Sequence, residues 1–251
     1  MNRVVVLLVV AFLGISVRAD DKAPLIQLHY VERPPYINQT GSWLEGLTAT
    51  PALDAFTRAG VPFILRSTPT NRQLLLIQNN EGYDCAIGWF KSSDREKFAR
   101  FSKPLHLTRG WAVITHKSFP TGTQSFTELM SNKNNRVLLR DKFIYGEYIT
   151  ERVKALRPTS FITTVEMPQM LQMIQARRSD FMFASAEEAE LAVKDRPELK
   201  LYFPPDSPKT GSYRHLICSK KVPTEVIEKL NAQLRLIAPY PQNPKPLFVS
   251  K

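Results

Sequence analysis

Cysteine is almost missing: Cys85 and Cys218 are the only two in 251 residues, too few for a disulfide scaffold. They can pair in an oxidising compartment, yet both fall in apolar strand patterns where a buried thiol packs as a small hydrophobe, so both states stay open. The four histidines, His29, His106, His116 and His215, share no metal-ligand spacing with one another or with the cysteines, and no metal is expected. Glycine is sparse at ten residues. No G-x-x-x-x-G-K-[ST] or G-x-G-x-x-G loop occurs, which disfavours a phosphate-cradling nucleotide site, and no G-x-S-x-G elbow presents a nucleophile. No cofactor is expected, and nothing in these patterns demands an enzyme. Internal repeats, low-complexity tracts and long linkers are also lacking.

The chain carries 34 Lys and Arg against 23 Asp and Glu, a formal net charge of +11. The basic residues are scattered, with no run longer than a pair such as Arg177-Arg178 or Lys220-Lys221, so the charge reads as solubility and attraction for anionic solutes rather than as nucleic-acid binding. The first residues are a basic head, Met1-Asn2-Arg3, then an apolar run from Val4 to Val17. That run is too short to span a bilayer comfortably. Val17-Arg18-Ala19 places small residues where a signal peptidase reads, so residues 1–19 are expected to be a cleaved secretory signal. Loss of Arg3 and Arg18 with it lowers +11 to +9. No cysteine follows the run at the cleavage point, so no lipid anchor is indicated.

Strand and helix patterns alternate along the rest, which predicts α/β architecture with largely parallel sheets. Leu25 to Val31, Pro62 to Arg66, Arg136 to Leu139 and Phe181 to Ala184 read as strands. Thr70 with Gln73, Ser125 with Glu128, and Ser185 with Glu188 have the spacing of capping boxes and predict helix starts. Met167, Met170, Leu171 and Ile174 form one buried helical stripe. A last helix begins near Pro223 and buries Val226, Ile227, Leu230, Leu234 and Ile237 before a proline-rich tail at 239–251.

The most informative stretch is Asp84 to Arg95 followed by Phe101-Ser102-Lys103-Pro104. It reads as a buried strand, a polar turn and an arginine in the first turn of a short helix, with Ser93 and Glu96 as its capping box. A helix N-terminus disfavours a cation, so Arg95 invites a reason beyond helix formation. Backbone N–H groups and a guanidinium converging on one point make a carboxylate site. The competing reading is a solvated arginine among Asp94, Glu96, Lys97 and Arg100.

The order of Leu25 to Tyr30, Pro34-Pro35-Tyr36, Gly46, Gly82-Tyr83-Asp84, Ser92 to Arg95 and Phe101 to Pro104 resembles bacterial extracellular solute-binding proteins of family 3. These are the periplasmic receptors of polar amino-acid ABC importers. The resemblance implies a two-lobed periplasmic-binding-protein-like fold, its ligand cleft between lobes joined by two crossings. Lobe one would comprise residues 24–112 with 216–238, and lobe two residues 117–212. It further implies a monomer in the periplasm that captures a small molecule for an ABC permease in the inner membrane.

Carried over residue by residue, the resemblance makes Arg95 the grip on the ligand carboxylate. Trp89 and Phe90 at the strand end either stack on the ligand or fill the hinge-side core. Glu32 and Tyr36, flanking the Pro-Pro pair, and Phe143 complete the expected ligand set. Lobe two departs from the pattern. Arg140-Asp141-Lys142-Phe143 replaces the usual Gly-Thr loop, so Lys142 supplies charge there or is simply solvated. Ser185 stands where the family has an amine-binding aspartate, and a helix cap explains it equally. The ligand expected is therefore a carboxylate-bearing solute, an organic acid or acylated amino acid ahead of a free amino acid. Two other readings keep the same fold: an enzyme akin to cyclic-acid dehydratases, with Glu32, Glu147 and Glu188 as available acids and bases, and a ligand sensor for a membrane receptor.

Overall fold

The computed structural model describes residues 23–234. The expected signal at 1–19, Ile237 and the tail at 239–251 lie outside the described residues. The first part of the chain forms β1 (Ile26–Tyr30), β2 (Asn38–Thr40), β3 (Trp43–Glu45), α1 (Ala49–Arg58), β4 (Phe63–Ser67), α2 (Thr70–Asn79) and β5 (Asp84–Phe90). Next come α3 (Ser93–Glu96), β6 (Ala99–Phe101), β7 (His106–Arg109), β8 (Trp111–His116), α4 (Phe126–Ser131), β9 (Val137–Arg140) and α5 (Gly146–Leu156). The last elements are β10 (Ser160–Thr163), α6 (Met167–Gln175), β11 (Phe181–Ser185), α7 (Ala186–Val193), β12 (Leu199–Tyr202), β13 (Thr210–Ser219) and α8 (Thr224–Gln233).

Two large sheets organise the molecule. One has the order β4-β1-β5-β13-β6 with β7 also on β13, the other β10-β9-β11-β8-β12. Each sheet is mixed rather than largely parallel. The βαβ units give parallel pairs β4-β1-β5 and β10-β9-β11, whereas β8 and β13, the strands that begin the second sheet and return to the first, run antiparallel to their neighbours.

Both sheets are buried on both faces, as the alternation along their central strands dictates. Cys85 and Ile87 of β5 join the core under α1 and α8, while Ala86 and Trp89 pack on the opposite side with Ile77 of α2. On β11, Phe181 and Phe183 face an aromatic core with Phe126, and Met182 and Ala184 face Met170, Leu171 and Ile174. The methionine stripe is thus core packing.

The chain leaves the first sheet at Arg109 and enters the second at Trp111, so the first crossing is at Gly110, just before the stretch from Trp111 to His116 where it was expected. A Cβ on Gly110 would lie 1.8 Å from the Pro208 carbonyl oxygen. Outgoing and returning strands pass here at a separation only glycine permits. The Phe-Ser-x-Pro segment clamps the return: Leu216 N–H donates to Ser102 Oγ at 3.0 Å and His215 Nδ1 bonds the Ser102 carbonyl at 2.9 Å.

Cys85 and Cys218 stand opposite each other on β5 and β13 and form a disulfide, with Cα atoms 4.0 Å apart. The alternative of buried free thiols is thereby corrected: direct cross-strand pairing puts both side chains on one face. Pro34-Pro35 is a cis bond. Among the described residues, no helix is long and apolar enough to cross a membrane.

Candidate functional site

Arg95 sits at the third position of α3, whose cap is Ser92 rather than the expected Ser93; Ser92 Oγ accepts the Arg95 N–H at 3.4 Å. Asp94 pairs with Lys97 and Glu96 with Lys91, each at 2.7 Å, so the nearby acids are used elsewhere. The Arg95 residue is 5% exposed, which overturns the solvated reading. Its Nη1 donates to the Phe90 carbonyl at 2.8 Å, its Nη2 reaches across to the Lys142 carbonyl at 3.1 Å, and the guanidinium lies 4.7 Å from the Trp89 ring centroid. Burial pushes its pKa down to about 10. Among the described residues no carboxylate forms an ion pair with it.

Arg95 lines a cavity between the two sheets together with Trp89, Phe90, Tyr36 and Phe143, five of the eight expected ligand residues. Two residues the sequence reading missed, Arg33 and Arg214, line it as well. No Asp or Glu does. The water-accessible volume is only about 40 Å³, room for roughly three waters. A larger molecule enters only when the lobes part.

Bonds between the lobes explain how tightly it is shut. Arg33 Nε and Nη2 donate to the two carboxylate oxygens of Glu188, the latter bond at 2.8 Å, and the Arg33 guanidinium stacks 4.8 Å from Phe143. Burial alone would lower the Arg33 pKa; the charge and hydrogen bonds of Glu188 outweigh it and raise it. The Tyr36 hydroxyl donates to Glu187 Oε1 at 2.9 Å and so receives its other hydrogen bond from Ser185. Glu166 of the second lobe accepts the Thr70 N–H at 3.2 Å, at the start of α2, and pairs with Arg140.

These partners displace several local expectations. Only the Ser125–Glu128 capping box forms. Pro69, not Thr70, caps α2, because Glu166 satisfies the first N–H from across the cleft. Ser185 occupies the cap position of α7 without a side-chain cap bond; its hydroxyl is spent on Tyr36, and it does not line the cavity. Lys142 is exposed with φ of 55°, and it contributes its carbonyl to Arg95 rather than an ammonium to the cleft. Glu32 is exposed, accepts the Gln39 N–H at 3.5 Å and stays outside the cavity lining. Glu147 is exposed too, and Glu188 is committed to Arg33.

Trp89 and Phe90 line the cavity and also pack into the buried clusters beside it. Trp89 Nε1 donates to Gln73 Oε1 at 3.0 Å, which fixes the indole as the floor under Arg95. Phe90 packs on Trp111 while one face meets the Arg214 guanidinium at 4.3 Å. Arg214 had a readable signal: a charged residue inside the strand Thr210–Ser219, which otherwise enters the core.

No family model matches the chain, and no curated protein does. Solved structures do match. An ancestral arginine-binding protein bound to arginine is 18% identical, with a TM-score of 0.68 over 84% of this chain and 90% of that one. The arginine-, lysine-, histidine-binding protein ArtJ from Geobacillus stearothermophilus is 15% identical, with a TM-score of 0.67 over 84% and 87%. A substrate-binding protein of an amino acid ABC transporter is 14% identical, with a TM-score of 0.64 over 84% and 91%. The chain thus has the two-lobed α/β fold found in substrate-binding proteins of amino-acid ABC transporters.

Proposed function

We propose that this protein is an exported binding protein that closes its lobes over a small carboxylate-bearing solute and delivers it to an ABC-type permease. The observation that carries the reading is Arg95: a buried guanidinium, without a carboxylate partner among the described residues, on the wall of a cavity between lobes. Charge left in a dry site is costly until an opposite charge joins it, so the site is complementary to an anion.

The same cavity is unsuited to an ammonium. Ser185 holds the position an amine-binding acid would occupy, Glu188 is locked to Arg33, and Glu187 is held by Tyr36, by His106 at 3.2 Å and by the Arg109 N–H at 3.0 Å. Burial would raise the Glu187 pKa, yet the His106, backbone and Tyr36 bonds outweigh it and keep the group below its ordinary value. The structural neighbours include proteins that bind arginine. A cavity lined by arginines and no acid is the reverse of what a cationic side chain requires. Lobe one meets the ligand first through Arg95 and Trp89, and closure excludes water, which strengthens each charge-assisted bond.

A thermal-shift and calorimetric panel of organic acids, N-acyl amino acids and free amino acids tests the reading. A ligand at 100 times its dissociation constant adds about 2.7 kcal/mol of stability. Organic or acylated acids should bind at least about ten-fold tighter than the matching free amino acid, since a charge-assisted bond is worth about 1.5–3 kcal/mol, and Arg95→Ala should abolish binding. Tight binding of a free amino acid, or an Arg95→Ala variant equal to the parent, overturns it.

A further inference from the structure

Three arginines line the cavity and no carboxylate does. Glu188 neutralises Arg33 by gripping it with both oxygens. Two cations therefore remain, Arg95 and Arg214. Arg214 is 3% exposed, donates Nη1 to the Gly88 carbonyl at 2.9 Å, and is stacked between the Tyr36 ring at 3.9 Å and the Phe90 ring at 4.3 Å. Its Nε is buried without a hydrogen-bond partner. The rings hold the guanidinium plane in place but carry no formal charge. Burial, with the charge of Glu187, pushes the Tyr36 hydroxyl well above its ordinary pKa, so the phenol stays neutral and is no counterion.

A structural role alone does not account for such a residue. A buried cation that serves only packing is normally paired, and removing solvent from an unpaired one costs several kcal/mol. The strand offers Arg214 a single carbonyl, and Glu188, the acid whose charge acts on it, is already spent on Arg33.

We propose that Arg214 forms a second anion subsite in the same cleft, so that the ligand is a dianion, a short dicarboxylate held by Arg95 at one end and Arg214 at the other. The inference rests on the carboxylate reading of Arg95 above and adds the second charge. The two guanidiniums are fixed to the carbonyls of Phe90 and Gly88. Those lie two residues apart on β5, about 7 Å at the rise of a strand. That spacing suits carboxylates separated by a short aliphatic chain, and the Trp89 and Phe143 rings supply apolar walls for it.

The test compares succinate, glutarate and adipate with the monocarboxylates butyrate, pentanoate and hexanoate by titration calorimetry on the parent protein. The best dicarboxylate should bind at least about ten-fold tighter than its monocarboxylate partner, the worth of one charge-assisted bond. Arg214→Gln should weaken dicarboxylate binding at least about ten-fold more than monocarboxylate binding, bringing that ratio to about one. Equal affinity of the two series for the parent, with monocarboxylate binding still dependent on Arg95, removes the second subsite and leaves the first reading standing. Absence of binding by either series at millimolar concentration removes both. Loss of both series alike in a folded Arg214→Gln variant assigns Arg214 a structural role and overturns the proposal. Should that variant not fold, the comparison on the parent decides alone.

Discussion

The Cys85–Cys218 bond closes a loop of 133 residues that contains the whole second sheet. In the chain-entropy account such a cross-link removes freedom from the unfolded chain, and a loop of this length corresponds to about 5 kcal/mol at room temperature. Both cysteines are fully buried between the central strands of the first sheet, and neither lines the ligand cavity. Reduction should therefore destabilise the fold without altering the site. At about 2–4 °C per kcal/mol for a domain pair of this size, the melting temperature should fall by about 10–20 °C. Two perturbations separate the loop from the packing. Dithiothreitol leaves the sulfur atoms in place, whereas the double variant Cys85→Ala with Cys218→Ala also removes their volume and should melt lower still. Calorimetric scans with and without reductant measure the loss, and ligand titration well below the melting point should return an unchanged affinity. A reduced protein melting within about 2 °C of the oxidised one would refute the loop argument. So would two titratable thiols in the denatured, unreduced chain.

Removing one partner of a buried ion pair costs about 3–5 kcal/mol, and for Glu188→Gln that cost falls on the closed arrangement alone, since opening returns Arg33 to water. The variant should show a larger radius of gyration by X-ray scattering in the absence of ligand, and superimposable curves would mean that the pair does not hold the lobes together. His215 is buried against the Ser102 carbonyl, and loss of solvation lowers its pKa below the ordinary 6.5 of a histidine. The unfolded chain then binds more protons between the lowered value and 6.5, so stability is complete above that pH and declines as pH falls through the window. His215→Gln should flatten this part of the urea-midpoint profile, and an identical slope in parent and variant contradicts the assignment.

Much of the architecture could be read from the chain because it depends on local pattern. Short buried apolar runs marked β5 and β11, the i, i+3, i+4, i+7 stripe marked α6, and Ser125 with Glu128 marked the start of α4, where the distant Asp206 takes the Phe126 N–H and competes for neither bond of the box. Where a distant group does compete, local reading failed. The capping signal at Thr70 is genuine as spacing, but Glu166 lies 96 residues away and takes the same N–H. Ser185 is read as a cap or a ligand contact, and a tyrosine 149 residues away claims its hydroxyl instead. Strand direction was also out of reach, since whether β8 and β13 run with or against their neighbours depends on how the chain returns between sheets.

The ligand site shows the same division, and the consequence is chemical. Arg95 was legible because a cation at the first turn of a short helix is locally unfavourable and so conspicuous. Arg33 was not, and Arg214 showed only as a charge inside an otherwise apolar strand, because the role of each depends on a partner elsewhere. Arg33 precedes the Pro34-Pro35 turn and is neutralised by Glu188 from the other lobe. Arg214 belongs to the returning strand and reaches the cavity only because β13 inserts beside β5. A charge count along the sequence is therefore blind to what a ligand meets. Most charged side chains among the described residues are exposed and screened by salt. The two uncompensated guanidiniums in the cleft are enclosed, where an opposite charge is worth several times more than in water. On the dianion proposal, the pairing of Arg33 with Glu188 sets that count at two rather than three, so the bond between the lobes would also set the charge of the solute.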